Sequence, residues 1–240
     1  MTRGTAVARA RAIYNEDSSD YITDAFLQNC YNDVQREVAI ETLCYPVSTT
    51  TNLAADTRLV ILPAGMFAIR RGGVSTTVYH PLTGPVSLDR LIAEDLNWAT
   101  TEGTVDRWYI AEQTTTVSSV VNWAIGLYPL PTASITSGIT IRGFGIPADT
   151  DDDNDLPPWP TPYHDVMIWG MCYYAALRDT DMKMSNARVI GYFEGRYQRA
   201  KDQLAAAAAQ GFADRVRTRG GNAEVGTGAE DVIRLTMTVS

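Results

Sequence analysis

The sequence predicts an α+β protein: a helical bundle built from N- and C-terminal helices, with an inserted β-rich module and an extended C-terminal arm. Three observations support this fold class. Apolar residues recur at helical spacing near both ends, Val, Ile and Thr become dense in the middle, and glycine is concentrated after residue 211. The predicted parts are residues 1–52 (N-terminal helices), 53–146 (β-rich module with a short helix), 147–210 (acidic loop and C-terminal helices) and 211–240 (arm).

Two helices are expected in the N-terminal part. Residues 5–14 are predicted to form a short helix, and the polar residues 18–20 offer N-cap oxygens for a second one that ends near Thr42. Pro46 and the Ser/Thr-rich residues 48–51 then end helical order, because proline lacks the backbone donor and β-branched residues favour extended backbone. The apolar stripe of the second helix consists of Leu27, Cys30, Tyr31, Val34 and Val38.

The middle part is predicted to form short strands separated by Gly and Pro, with one helical interruption. The helix is expected over residues 87–97, with Ser87 as its N-cap. Its predicted core face consists of Leu88, Leu91, Ile92 and Leu96. The predicted strands are residues 58–62, 66–69, 74–79, 108–113, 119–127 and 135–142.

The C-terminal part is predicted to contain two helices after an acidic loop. The first, from about Tyr163 to Leu177, is apolar on all sides, which is typical of a helix at a bundle centre or a subunit interface. The second runs from the cap Ser185 to about Gln210, with apolar residues at every third or fourth position. Gly211 is expected to end it, because glycine is favoured just after a helix.

The C-terminal arm is rich in glycine and contains three arginines, Arg215, Arg217 and Arg219. Only residues 232–239 alternate as a strand does, with Val232 and Leu235 among the apolar positions. A lone strand needs a partner, so the arm is expected to be disordered or docked on a neighbouring subunit. Its apolar tip favours docking.

Composition excludes several classes of protein. The 240 residues carry a net charge of −8, so the chain lacks the basic field of a free nucleic-acid-binding protein. Cys30, Cys44 and Cys172 are odd in number and form no C-x-x-C pair, which indicates free thiols in a reducing cytoplasm. The longest apolar run, residues 166–177, falls short of the roughly 18 residues that span a bilayer. A soluble protein without an export signal is expected.

The sequence offers little catalytic chemistry, and no catalytic or metal site is predicted. His80 and His164 are interpreted as a turn residue and a helix-start residue rather than general bases. A dense acidic cluster departs from the calcium-loop pattern, because Asn154 replaces the glycine and Pro160 the closing glutamate. We interpret it as an exposed loop or a docking surface for basic residues; a metal-dependent hydrolase that uses the cluster with His164 is an alternative. The cluster consists of Asp149, Asp151, Asp152, Asp153 and Asp155.

Several short motifs follow one another along the chain. They are Asp-Tyr-Ile-Thr-Asp at 20–24, Trp98, Glu-Gly at 102–103, Trp-Tyr at 108–109, Gly-Leu-Tyr-Pro-Leu-Pro at 126–131, Leu-Pro at 156–157 and Tyr-His at 163–164. With this order of motifs and elements, residues 5–205 resemble the head-to-tail adaptor (connector) proteins of tailed bacteriophages. The arm after Gly211 lies outside the resemblance.

The resemblance implies a structural virion protein, with no catalytic activity and no cofactor, that forms a ring under the portal, extends the DNA channel and joins head to tail. Its implied partners are the portal protein, further copies of the chain in a twelvefold ring, and a downstream tail or neck protein. The resemblance also implies that DNA only passes through the channel and that no membrane is involved.

The protein is expected in the virion neck after assembly in the host cytoplasm. Another neck component, such as a stopper or a tail-tube end protein, is the alternative. The residues expected to contact the portal or neighbouring subunits are Tyr163, Trp169, Tyr173, Tyr197, Arg215, Arg217, Arg219, Val232 and Leu235.

Overall fold

The computed structural model describes residues 1–14, 22–76, 81–117, 120–178, 187–217 and 232–234. The chain divides into two compact units. Residues Met1–Tyr45 and Ile146–Val225 form the first, the helical unit, and Pro46–Gly145 and Gly226–Ser240 form the second, the β unit. Helices and antiparallel sheets are both present, so the predicted α+β class is confirmed.

The elements follow one another in a simple order. The helices are α1 (Arg3–Tyr14), α2 (Asp24–Thr42), α3 (Leu88–Glu94), α4 (Asp165–Arg178) and α5 (Ala187–Arg217). The strands are β1 (Pro46–Leu53), β2 (Leu59–Ile61), β3 (Met66–Thr76), β4 (Glu102–Gly103), β5 (Arg107–Val117), β6 (Val120–Tyr128), β7 (Leu130–Pro131), β8 (Ile135–Gly145) and β9 (Val232–Arg234). A 3₁₀ turn, Thr161–Tyr163, precedes α4.

Helix α4 lies at the centre of the helical unit, where it packs against α1, α2 and α5. Eight of its residues between Val166 and Ala176 are buried, as expected for a helix that is apolar on all sides. It packs tightly against α2 at Gly170, where a Cβ atom would lie 2.6 Å from Cγ2 of Val34. Among the described residues, no helix is both long and apolar enough to cross a membrane.

This close approach predicts opposite effects for two glycine-to-alanine substitutions in the helical unit. We expect Gly170→Ala to lower the free energy of unfolding by about 1–3 kcal/mol, because the new methyl group overlaps the stiff, buried Val34 side chain. Gly195→Ala, on α5, meets no atom within 4 Å and is expected to raise it by about 0.5–1 kcal/mol, because alanine is the better helix former. Urea unfolding followed by circular dichroism measures both, and destabilisation of equal size would contradict the packing described for α4.

The ends of two helices differ from the sequence prediction. Helix α2 begins at Asp24, and the side chain of Thr23, rather than of residues 18–20, accepts a hydrogen bond from the Phe26 amide at 3.2 Å. Residues 15–21 lie outside the described part of the chain. The predicted end of α2 at Thr42 is confirmed. Helix α5 continues through Gly211 to Arg217, because a lone glycine weakens a helix without ending it.

The described residues of the β unit form three sheets. A four-stranded sheet has the order β1-β8-β3-β9, a three-stranded sheet has the order β2-β6-β5, and β4 and β7 form a short parallel pair. The first two sheets contribute to one core of buried aliphatic residues around Trp108, which is fully buried. Strand β1 pairs with β8 from Pro46 onward, so the β unit begins before residue 53. Its Ser/Thr-rich sequence gave no alternating pattern that would have predicted a strand.

Strand β3 replaces two predicted strands. Its register with β8 shifts between Ile69 and Val74, where Gly72 has φ +65° and a Cβ at Gly73 would lie 2.3 Å from the Arg142 carbonyl oxygen. The glycines therefore form an irregularity within one strand rather than a break between two. The other predicted strands appear with shifted bounds, and residues 77–80, including His80, lie outside the described part of the chain.

Strand β9, from the predicted arm, pairs antiparallel with β3 of the same chain. Arg234, Ile233 and Val232 lie opposite Ala68, Ile69 and Arg70. The expectation that this strand pairs with a sheet edge is confirmed, but the edge is the chain's own rather than that of a neighbouring subunit. The residues on either side of β9, 218–231 and 235–240, lie outside the described part of the chain.

Helix α3 begins as predicted, with the Ser87 hydroxyl accepting a hydrogen bond from the Arg90 amide. Its predicted core face is wrong, because only Leu91 of the four apolar residues is buried. The helix ends at Glu94, before the register can bring Leu96 to the core, and Leu96 is 88% exposed. A helix of seven residues buries too little of its circumference for four core contacts.

Candidate interaction surfaces

The acidic loop, residues 149–155, is fixed on the first turn of α1 by Arg3, which is only 6% exposed. The Arg3 Nε and Nη2 atoms donate to Oδ1 of Asp153 at 3.1 and 2.9 Å, and its Nη atoms also donate to the carbonyls of Thr150 and Asp151. The Arg3 amide donates to the Asp155 carbonyl at 2.8 Å. The loop therefore satisfies donors of a helix N-terminus that would otherwise lack partners.

Helix α2 fixes the other side of the same loop. The guanidinium of Arg36 donates to both carboxylate oxygens of Asp149, at 2.6 and 2.5 Å from Nη2. The Asn32 carboxamide oxygen accepts from the amide of Thr150 at 3.1 Å, and Gln35 donates to the Ala148 carbonyl at 3.0 Å. The loop is thus a docking surface for basic residues of its own chain.

These contacts argue against a metal-dependent hydrolase. Asp149 and Asp153 are already paired with arginines, and His164 is only 3% exposed. The His164 Nε2 atom donates to the Trp159 carbonyl and Nδ1 accepts from the Met1 amino group, each at 2.8 Å, so neither nitrogen has a free lone pair. Within the described ranges, no group of three or more His, Cys, Asp or Glu residues has a geometry that could hold a metal ion.

The cysteine thiols are equally unsuited to catalysis. Cys30 and Cys172 are buried, and Cys44 is partly buried; all three are unpaired. Burial raises the pKa of Cys30 and of Cys172 to about 12 and that of Cys44 to about 11. Thiols with such pKa values are protonated at neutral pH and are poor nucleophiles.

An aromatic and basic surface lies where α1, α4 and α5 meet. Trp169, on α4, is half-buried and separates two clefts of about 320 and 330 Å³. Arg196 and Arg199 line one cleft and Arg9 lines the other, while Asp165 lines both. We call this region the Trp169 surface, which comprises Arg9, Ile13, Tyr163, Trp169, Tyr192, Arg196 and Arg199.

The aromatic rings of the Trp169 surface are held by stacking and by a cation. Tyr192 meets Trp169 edge to face with 6.5 Å between ring centroids. The Arg196 guanidinium lies 5.3 Å from the Trp169 ring and 5.4 Å from the Tyr192 ring. Ile13 and Tyr192 are exposed, although both are large and apolar. Trp, Tyr and Arg gathered around clefts are the composition that dominates binding energy in protein interfaces.

The structure places the other predicted interface residues differently. Tyr197 is 2% exposed and belongs to the core of the helical unit, while Tyr173 is half-buried and stacks on it at 6.1 Å. Arg215 and Arg217 lie in the last turns of α5. Val232 pairs with Arg70, and Arg219 and Leu235 lie outside the described residues. Of the predicted interface residues, Tyr163 and Trp169 lie on the same surface. Arg9, on α1, also lies there, although its distance from them in the sequence gives no sign of this.

The β unit has a groove of its own, of about 1000 Å³, beside α3. Arg58 stacks on Trp98, 4.5 Å from the ring centroid, and donates to the carbonyls of Trp98 and Ala99. Trp98 in turn meets Tyr109 edge to face at 5.9 Å. Sequence reasoning missed this groove, because Arg58 is separated from Trp98 by 40 residues and carries no local motif.

Two carboxylates at the end of α3 have lowered pKa values. Hydrogen bonds from Arg90 and Arg107 hold the pKa of Glu94 below its usual value. A hydrogen bond from the Thr101 hydroxyl, with others from the Asn97 amide and the Tyr128 hydroxyl, does the same for Asp95. The two residues tie the segment after α3 to β5 and β6.

These shifts predict acid sensitivity of the β unit. A carboxylate whose pKa is lower in the folded state stabilises the fold above its unfolded-state pKa, near 4, and loses that contribution as the pH falls through the folded-state pKa. We expect the unfolding temperature to fall between about pH 5 and pH 3, and we expect Asp95→Asn to reduce this pH dependence. Asp89→Asn is the control, since the Asp89 side chain is exposed and takes no part in these hydrogen bonds. An equal reduction in both variants would contradict the assignment.

Comparison with known proteins identifies a family but no individual relative. No curated protein matches the sequence. The profile of the SU10 adaptor protein family matches residues 1–221, which include both units apart from the end of the chain, and extends beyond the residues 5–205 that carry the resemblance. The chain therefore belongs to the SU10 adaptor protein family, a family of phage head-to-tail adaptors.

Proposed function

We propose that the protein forms a ring beneath the portal, with the portal's twelvefold symmetry, and continues the DNA channel toward the tail. The observation that carries this proposal is the family match, which covers the four long helices and most of the β unit. Family membership assigns a structural head-to-tail adaptor role; the ring, the channel and the copy number are the proposed part.

The two units suit different partners in such a ring. The helical unit, which carries the Trp169 surface, contacts the portal and adjacent subunits, and the arginines after residue 211 add to those contacts. The β unit, with its groove and the exposed apolar residues of α3, faces the downstream tail or neck protein. A heterologous assembly needs surfaces of different character on one subunit, and the two units supply them.

DNA passes through the proposed channel without being bound. A net charge of −8 repels the phosphate backbone, so the wall of the channel does not retain the DNA. Asp149 and Asp153 contribute little to this repulsion, because Arg36 and Arg3 neutralise them. The adaptor role requires no cofactor and no membrane, and it places the protein in the virion neck after assembly in the host cytoplasm.

Mixing the purified chain with the portal of the same phage tests this function. We expect mass photometry to show the portal gaining mass in multiples of 26.3 kDa until the ring closes at the portal's symmetry. A stopper or tail-tube end protein would join only after another neck protein had bound the portal. Failure to bind the portal alone, together with binding to a portal that already carries another neck protein, would contradict the adaptor assignment.

A further inference from the structure

Helix α5 carries opposite charges on its two exposed stripes. Tyr192, Arg196 and Arg199 follow one another at spacings of four and three residues, so they lie on one stripe, beside Trp169. Glu194 and Asp202 lie eight residues apart, about 2.2 helical turns, so they differ by roughly 80° around the helix and form a broad second stripe. Both acidic side chains are exposed. The buried residues of α5, Phe193, Tyr197 and Leu204, face the core.

The second stripe continues onto α2. Lys201, which is largely buried, donates to Glu37 at 2.9 Å and to Glu41 at 2.7 Å, and so joins α2 to this side of α5. Glu41 keeps nearly half of its side chain exposed, and its neighbour Ile40 is exposed as well. We call this region the acidic flank, which comprises Glu37, Ile40, Glu41, Glu194 and Asp202.

The acidic flank carries net negative charge even after its internal pairing. Two of its four carboxylates, those of Glu37 and Glu41, pair with the single ammonium group of Lys201, and those of Glu194 and Asp202 are exposed. Burial lowers the pKa of Lys201, but the hydrogen bonds that it donates to Glu41 and Glu37 outweigh this effect, so the pKa is raised and the charge is retained. The Trp169 surface, in contrast, presents three arginines against the single carboxylate of Asp165.

We propose that the Trp169 surface of one subunit binds the acidic flank of the next copy of the chain. This inference rests on the proposed ring function and names the partner of the Trp169 surface. Two complementary surfaces on different parts of one subunit make a heterologous contact, and repetition of that contact generates a ring when the rotation between subunits closes. Trp169 supplies the apolar centre of the contact, Ile40 is the exposed apolar residue of the opposite surface, and the charges at the rim select the orientation.

Reversal of charge provides a test that does not depend on loss of function alone. The basic-reversed variant carries Arg9→Glu and Arg196→Glu, and the acid-reversed variant carries Glu194→Arg and Asp202→Arg. All four side chains are exposed, so both variants are expected to keep the wild-type unfolding temperature within a few degrees. Each variant alone presents like charges across the contact, and we expect at least about a tenfold loss in the affinity with which copies add to one another on the portal.

An equimolar mixture of the two variants is expected to restore assembly. In the mixture each reversed surface meets an opposite charge, so the subunits alternate around the ring. The chain that carries all four substitutions is expected to assemble alone, and raising the salt concentration toward 1 M is expected to weaken the wild-type contact. Mass photometry on the portal counts the added copies in steps of 26.3 kDa.

The outcomes separate this inference from the proposed function. Assembly of each single-surface variant as in wild type, or a mixture that assembles no better than its components, would overturn the subunit contact. If the basic-reversed variant fails to bind the portal even in the mixture, the Trp169 surface contacts the portal, which overturns the inference and leaves the adaptor function intact. Absence of portal binding by the wild-type chain would count against the function itself.

Discussion

Arg3→Ala is expected to lower the free energy of unfolding of the helical unit by about 2–4 kcal/mol. The substitution removes charged hydrogen bonds to Asp153 and leaves the carbonyls of Thr150 and Asp151 without their donor in a partly buried place. The acidic loop then loses its side-chain contacts to α1 and retains the backbone hydrogen bonds from the Arg3 and Gly4 amides and the contacts to α2. Urea unfolding followed by circular dichroism measures the change.

Arg9→Ala is the matched control for this substitution. Arg9 lies on the same helix and is exposed, and the hydrogen bond recorded for its guanidinium is a weak one to Sδ of Met1 at 3.9 Å. We expect a change within about 0.5 kcal/mol. Equal effects of Arg3→Ala and Arg9→Ala would show that the acidic loop does not depend on Arg3, contrary to the contacts described.

Trp169→Ala is expected to weaken assembly on the portal by about thirtyfold or more, which corresponds to a central interface residue worth about 2 kcal/mol. Loss of the Trp169 side chain merges the two clefts and removes the indole ring that Tyr192 and Arg196 contact. The number of copies added to the portal, titrated by mass photometry, measures the loss.

Trp98→Ala is a suitable control for Trp169→Ala, since Trp98 is also half-buried but belongs to the β unit. Both variants lose some packing, so their unfolding temperatures are measured first. Assembly is then measured at a temperature below both. We expect Trp98→Ala to assemble with nearly wild-type affinity. A loss of similar size in both variants would assign the effect to stability rather than to the Trp169 surface.

Much of the helical unit could be predicted from the sequence. The apolar residues of α4 on every side predicted a surrounded helix, and the stripe containing Leu27 and Val34 predicted the buried face of α2. Such patterns involve residues that are close in the sequence, and the apolar face that they define is the face that a helix buries. The end of α5 was not predicted, because a single glycine such as Gly211 costs only about 1 kcal/mol, which a long helix tolerates.

The contacts between distant residues could not be predicted. The acidic loop was recognised by its charge, but its partner Arg3 lies 150 residues away in sequence. Strand β1 was missed because its Ser and Thr residues do not alternate with apolar ones, and its place in the sheet depends on pairing with β8. Trp169 was expected at an interface, whereas Arg9 and the acidic flank became visible only once α1, α2 and α5 were placed around α4.

A symmetric electron-microscopy reconstruction of the chain bound to its portal tests the central claim most directly. The account predicts a closed ring in direct contact with the portal, in which Trp169 and Arg196 of each subunit face Glu41 and Asp202 of the adjacent copy. A neck in which another protein separates this chain from the portal, or in which the chain forms no ring, would contradict it.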